Sequence, residues 1–438
     1  MLHPPVRMML LDPGHFHAAL LLNYHRDAIH PRLFCYAPVG PDLLDWMQHL
    51  TRFNTRSLHP TRWQLDVRAS DSFEDRFFRE LPGRAAILAG RNHRKLSRMR
   101  RCVESAVHVI ADKPWAIAPE QLPEIEAMLH EARLREMQVF DAMTERWAAP
   151  NQLLRTLLAD RTLFGMLQPG TVDLPAIRLA SMHALHKYVA GRPQIRPVSF
   201  FHPDEHGEPL ADVGTHLADL AMWIAFPDQT FHFRSDLTIL RAGRDRLPLR
   251  LPQWQRLTGF SQYPNELADW IISDVLHWPS RNWVDFTLKG HHIRIDAGWE
   301  EHLPNGDWTT AEFRGSRCWI ALKNDPPPIS SPVVILSPND PAEFETIRAL
   351  LVDRLSDWDD RYPNLSLKIQ DNRFEIRISE SQLVPHEQLF GRVMAQFLQH
   401  VQTNKPLPAW EYPNLLTKYA ITTQGVARSR ESESPPPE

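Results

Sequence analysis

The chain of 438 residues is short of cysteine and glycine and carries no long apolar run. Its three cysteines, Cys35, Cys102 and Cys318, are scattered, odd in number and form no Cys-x-x-Cys pair. That argues against a disulfide framework and against a structural zinc site. No segment approaches the roughly 18 uninterrupted apolar residues that a membrane-spanning helix needs. The start, Met1-Leu2-His3-Pro4-Pro5, lacks the basic, apolar and small-residue order of a secretory signal, so a reducing cytoplasm is the expected compartment. Neither sign of charge dominates. The net charge is -4, with no basic stripe for nucleic acid and no polybasic segment for a membrane surface. Only 17 glycines stand against 38 prolines, which leaves few loops able to cradle a phosphate.

What is present is a core-forming chain. Hydrophobic residues make up 43% of it, and its length suits two domains or one large two-layer assembly. Strand-like runs at 6–11, 33–37, 65–68, 85–89, 107–110 and 138–141 alternate with helical stretches, among them 16–24, one through Met99 and Cys102, and 119–135. Short apolar strands alternating with helices predict an α/β fold with a doubly wound parallel sheet.

Beyond residue 150 the rhythm changes. A helix over 151–160 precedes strand-like runs at 176–180, 197–201, 283–288, 292–295 and 318–322, and a hairpin over 365–369 and 374–378. Helices over 341–357 and 385–401 are expected to cover this sheet, giving an α+β domain with an open, mostly antiparallel sheet. The expected division is a first domain over 1–145, a second over 146–427 with an insertion at about 240–282, and a disordered tail over 428–438.

Chemistry concentrates in a few places. The turn after the first strand reads Asp12-Pro13-Gly14-His15-Phe16-His17. A dinucleotide fold places Gly-x-Gly-x-x-Gly there, and only Gly14 falls on a glycine position. A carboxylate at Asp12 repels phosphate unless it turns away, and a protonated His15 or His17 offsets it. The alternative is a plain tight turn with no ligand. The second strand ends without the acidic residue that would select a ribose, so NAD and NADP are not distinguished. Asn92 and His93 follow the fourth strand at the edge where ligands bind; the bland alternative for Asn92 is a helix cap.

Lys113-Pro114 leaves the fifth strand, and the proline sends Lys113 out extended. A lysine there can donate to a hydroxyl and stabilise developing negative charge on its oxygen. Asp212 and His216, four residues apart, share one face if the segment is helical, with Asp219 on roughly the same face. A cation, a proton acceptor and an orienting carboxylate are what a site needs to take a proton from an alcohol while hydride leaves its carbon. His183 and Lys187 either line a polyol pocket or lie on a solvated helix. Metal binding by His15, His17 and His216 is a further option, but among 22 histidines chance His-x-His pairs are expected, and no metal is assigned.

At these residues the chain resembles the Gfo/Idh/MocA family of nicotinamide-dependent oxidoreductases. Ala111-Asp112-Lys113-Pro114 is similar to that family's Glu-Lys-Pro element, and Asp212-x-Gly214-x-His216-x-x-Asp219 to its Asp-x-Gly-x-His-x-x-Asp element. The later part, with Phe313-Arg314-Gly315, Pro408-Ala409-Trp410-Glu411 and Lys418-Tyr419, resembles a branch with its own C-terminal domain. The resemblance implies a Rossmann-like domain, an open-sheet domain that often makes dimers or tetramers, NAD or NADP as cofactor, and a sugar, cyclitol or similar polyol as substrate. By position it implies Lys113, Asp212 and His216 as catalytic residues. Gly14, His15, Phe16, His17, Asn92, His93, Lys113 and Pro114 would contact cofactor, and His183, Lys187 and Asp219 would contact substrate. The altered glycine turn keeps a second class open, a non-catalytic carbohydrate-responsive binding protein on a decayed scaffold. A binding module, however, has no need of Lys113, Asp212 and His216 together.

Overall fold

The six early apolar runs become one parallel sheet in a computed structural model, which describes residues 3–189, 192–304, 306–324 and 332–432. The strands are β1 (Met8–Leu11), β2 (Arg32–Ala37), β3 (Gln64–Ala69), β4 (Ala85–Leu88), β5 (His108–Ala111) and β6 (Val139–Asp141). They lie in the order β3-β2-β1-β4-β5-β6, every pairing parallel. β1, β4 and β5 are buried at every residue, as strands covered on both faces must be. Strand order reverses between β1 and β4, and in open α/β sheets the crevice at that reversal, at the carboxyl ends of the strands, takes the ligand.

This sheet belongs to the first of two compact units, which takes in the chain up to Ala116, then Glu120–Trp147 and Val384–Tyr412. The third segment departs from the expected contiguous division. Helix His386–Thr403, expected over the second sheet, instead buries Phe390, Val393, Met394, Phe397 and Val401 in the core that holds Leu10, Ile87 and Phe140. An amphipathic stripe shows that a helix has a buried face but not which sheet receives it. The stretch expected as a helix over 16–24 is a single turn, His17–Leu20.

The second unit comprises Ile117–Pro119, Ala148–Leu383 and the chain from Pro413. Its strands are β7 (Ile177–Ala184), the short β8 (Tyr188–Val189) and β9 (Arg192–Pro193), β10 (Leu237–Leu249), β11 (Ile271–Ile272), β12 (Val275–Leu288), β13 (His291–Glu300), β14 (Trp308–Arg314), β15 (Cys318–Asn324), β16 (Val333–Pro338), β17 (Ser366–Gln370) and β18 (Arg373–Arg377). The main sheet runs β10-β12-β13-β7-β14-β15-β16-β18-β17, with β11 paired to β12. All its pairings are antiparallel except β13 with β7. The β17–β18 hairpin turns on Asp371 and Asn372, both at positive φ (48° and 57°), which suits a two-residue turn of the right twist.

Three expectations are corrected here. Residues 240–282 are not an insertion: β10 and most of β12 build one end of the sheet, and their arginines lie over indoles, Arg244 and Arg246 on Trp270 at 5.5 and 5.2 Å. Arginines packed in this way hide the strand from a hydrophobicity pattern. Residues 197–201 form a 3-10 helix, Val198–Phe201, whose Phe200 and Phe201 are buried among Trp254, Trp278 and Trp299. A short apolar run does not by itself separate a strand from a helical turn. Helix Glu411–Glu431 runs through the start of the expected disordered tail; residues 433–438 lie outside the described residues. Among the described residues no helix is long and apolar enough to cross a membrane.

Candidate functional site

In the first unit the chemistry gathers where β1, β4 and β5 end. Asp12 stands at left-handed φ (53°). Its carboxylate accepts from Arg98 Nη1 at 2.7 Å, and Arg98 Nε reaches Glu74 at 3.0 Å. Asp12 and Arg98 are both buried. A Cβ on Gly90 would lie 2.3 Å from the Asp12 carbonyl oxygen, so the loops after β1 and β4 approach closely only with glycine there. The backbone N–H of His15 donates to the Ala89 carbonyl at 3.0 Å and fixes the two loops together.

Asp112, just past β5, is the hub of this region. Its Oδ1 accepts from Lys95 Nζ at 2.5 Å, and Lys95 also donates to Asn92 Oδ1 at 2.8 Å and to the Asp112 carbonyl at 3.0 Å. Its Oδ2 lies 3.2 Å from His17 Nδ1 and 3.3 Å from His15 Nδ1. Burial alone would raise the Asp112 carboxyl. The Lys95 ammonium and the two imidazoles outweigh it and hold the group well below the carboxylate range. Burial, with His15 beside it, pushes His17 well below its ordinary value, and burial lowers Lys95 despite Asp112.

Helix Asn92–Glu104 explains the fate of Asn92. Arg91 holds the cap position and the Asn92 side chain turns to Lys95, so the residue is not a helix cap. His93, on the next position, is exposed. Lys113 is half-buried and followed by buried Pro114, the peptide between them being cis. Gly14, His15 and Phe16 are half-buried. His17 is buried, with its ring 4.6 Å from that of Phe390.

In the second unit, helices Pro209–Asp212 and Gly214–Ala225 run almost continuously through Val213, which is itself in the α region. Asp212 and His216 therefore do share a helical face. Their start is anchored by buried Glu208, which accepts from Arg244 (3.0 Å), Arg430 (2.7 Å) and Asn282 Nδ2 (2.8 Å). Asp212 is buried and lies 3.5 Å from His206 Nε2, while His216 is half-buried. Asp219 is placed differently: it is buried 3.8 Å from Lys418 Nζ, itself buried, which makes it part of a helix-to-helix ion pair.

His183 and Lys187 are not on a helix. His183 stands on β7 and Lys187 just beyond it, and both hold one carboxylate, Asp307 Oδ2, at 2.9 and 2.8 Å. The other ring nitrogen of His183 lies 3.0 Å from Ser181 Oγ. Burial works against the Asp307 carboxyl, but His183 and Lys187 hold it well below the usual range. Buried Arg196 lies over Trp299 at 4.7 Å. Burial lowers its guanidinium to about 10, opposed by the charges of Asp212 and Asp307. Sequence reasoning did not single out Asp112, Lys95, Arg98, Arg196 or Asp307, the residues that organise these polar clusters. Asp112 sits inside the quoted motif and Lys95 three residues after Asn92, so both had a local signal; Asp307 is 124 residues from His183 and had none.

A Rossmann-like sheet in one unit and an open mixed sheet carrying a helical Asp–His pair in the other define a two-domain oxidoreductase architecture. The family model described as "Putative oxidoreductase C terminal domain" matches residues 153–430, more than half of the chain, and the chain belongs to that oxidoreductase family. No curated protein sequence matches it. Among solved structures, one described as "a putative oxidoreductase" from Parabacteroides merdae is 29% identical, covering 98% of this chain and 99% of that one with a TM-score of 0.94. The 3-ketoreductase KijD10 from Actinomadura kijaniata, in complex with TDP-benzene and NADP, is 14% identical over 97% of this chain and 98% of its own, with a TM-score of 0.57. GenD2 from gentamicin A biosynthesis, in complex with NAD, is 12% identical over 98% and 95%, with a TM-score of 0.58. The last two likenesses are of fold.

Proposed function

We propose that the chain is an NAD- or NADP-dependent oxidoreductase of the Gfo/Idh/MocA type acting on a hydroxyl or carbonyl of a sugar, cyclitol or similar polyol. One observation carries the cofactor part. The carboxylate that stands where a fingerprint glycine is expected is neutralised by Arg98, which removes the repulsion Asp12 itself would exert on a phosphate at Gly14 and His15; Asp42 Oδ2, 3.2 Å from where a Gly14 Cβ would stand, is the carboxylate left beside the turn. When bound, the nicotinamide supplies the acceptor or donor of hydride. His15, partly exposed, suits a phosphate contact better than His17, which is buried.

The protein residues then handle binding and the proton. Lys113 donates to the reacting oxygen and stabilises negative charge on it. His216 takes the hydroxyl proton, or returns it in the reverse direction, and Asp212 orients and supports the imidazole. His183 and Lys187, locked by Asp307, offer donors to neighbouring hydroxyls. A 3-ketoreductase and a protein of gentamicin A biosynthesis among the structural neighbours support a carbohydrate-like substrate.

Calorimetric titration with NAD and NADP, alongside mass spectrometry of the purified protein for retained dinucleotide, tests the reading. Lys113→Ala and His216→Ala should each abolish turnover on a panel of sugars and cyclitols while leaving dinucleotide affinity within about threefold, an energy difference below ~1 kcal/mol. Absence of binding by either dinucleotide at millimolar concentration leaves the carbohydrate-responsive binding protein as the better account.

A further inference from the structure

We propose that His15, His17 and Asp112 form a binding site for one divalent transition-metal ion. Each of the three residues offers one donor atom, and these atoms all lie within 4.8 Å of one another. Both Nδ1 atoms face the same carboxylate oxygen, at 3.2 and 3.3 Å. A tetrahedral ion with bonds of about 2.0–2.1 Å sets adjacent ligand atoms about 3.4 Å apart. Two edges of that tetrahedron are therefore already present to within a few tenths of an ångström.

The surroundings hold the donors in place. Lys95 occupies Oδ1 of Asp112, so the carboxylate presents Oδ2 alone to the two imidazoles. Ligating carboxylates are themselves held by outer hydrogen bonds, and Lys95 with Asn92 supplies that support. The His17 ring is fixed between Phe390 at 4.6 Å and His15 at 4.0 Å, the latter edge-on.

A pair of imidazole N–H groups donating to one oxygen is the competing account. A metal ion would take the place of those hydrogens at the same two nitrogens, and the titration below separates the two accounts. His15 Nδ1 also lies 3.4 Å from the backbone N–H of His17. The backbone contact is long and yields easily to a metal bond. Two imidazoles and one carboxylate suit zinc, iron, cobalt or nickel rather than magnesium or calcium. Three protein ligands leave at least one position for water or another oxygen.

The site does not rest on the hydride-transfer reading, and its test uses no nucleotide. Protein stripped with chelator is titrated with Co2+ and followed by its visible absorption, with Zn2+ added in competition. The expected result is one Co2+ per chain, displaced by Zn2+. His15→Ala and His17→Ala should each weaken it by more than the ~10–100-fold typical of losing an outer partner. Exposed His130→Ala should leave it unchanged. Asp112 is not substituted, because its loss strands Lys95 as a buried cation. No Co2+ absorption, or wild-type affinity in either histidine variant, overturns the proposal. A parallel NAD titration in chelator separates the two readings: cobalt binding lost with dinucleotide binding kept sinks only the metal site, and the reverse sinks only the cofactor assignment.

Discussion

Replacing Arg98 by methionine removes the partner of a carboxylate buried at the most sensitive turn of the first unit. Asp12 and Arg98 meet at 2.7 Å, with side chains 11% and 6% exposed. Charge centres about 4 Å apart at an effective dielectric of about 20 attract by about 4 kcal/mol. Removing one member of a buried pair costs about 3–5 kcal/mol, since the other charge is left behind. Glu74 is not stranded by the change, because Arg101 still holds it at 2.8 Å. Arg98→Met is therefore expected to destabilise by about 3 kcal/mol or more. Asp12→Asn keeps an acceptor for Arg98 and should cost about 1–2 kcal/mol. The double variant should fall short of the sum by about 1–3 kcal/mol, the coupling of the pair. Urea unfolding followed by tryptophan fluorescence measures all four proteins. Dinucleotide titration should show Arg98→Met weakened more than Asp12→Asn, because only the former leaves the Asp12 carboxylate bare. Strict additivity, together with unchanged dinucleotide affinity in Arg98→Met, would refute the claim that Arg98 neutralises Asp12.

Other variants test separate parts of the structure. Gly90→Ala places a methyl 2.3 Å from the Asp12 carbonyl, and the loop shift should cost about 1–3 kcal/mol of stability; a melting temperature equal to wild type contradicts the close approach. Asp307→Asn should destabilise the second unit at neutral pH and raise KM more than it lowers kcat, in steady-state assays, since it releases His183 and Lys187. The Asp307 carboxyl is depressed in the folded protein, so the unfolded chain binds its proton first as pH falls. Its contribution is present above the ordinary value of 3.8 and is lost below it, as pH approaches the folded value. The stability gap between wild type and Asp307→Asn should accordingly shrink below pH 3.8; a gap independent of pH contradicts the ion-paired Asp307.

The first sheet was readable because most of its strands are short apolar runs bounded by turn residues, so Met8–Leu11 and Ala85–Leu88 stand out without context, while β3, Gln64–Ala69, with Asp66 and Arg68, is the weaker signal. The helical pairing of Asp212 with His216 was readable from spacing. What was hidden depended on distance along the chain. Asp112 gained meaning only when Lys95, His15 and His17 were seen around it, and Asp307 only when it met His183. Asp219, a buried carboxylate amid leucines, demands a partner, and Lys418, about two hundred positions later, supplies one that the sequence did not show. Polar residues of β10 obscured the strand because arginine side chains cover tryptophans through their stems and planes.

The segment Val384–Tyr412, which belongs to the first unit, has a consequence for biosynthesis. Domains commonly fold as they emerge from the ribosome, N-terminal first. Here the early sheet waits for Phe390, Met394 and Phe397 to close its core, and these are translated only after nearly the whole polypeptide is made. A fragment cut after Trp147 would leave that apolar face open to water and to other nascent chains, so soluble expression of the first unit requires the Val384–Tyr412 segment as well.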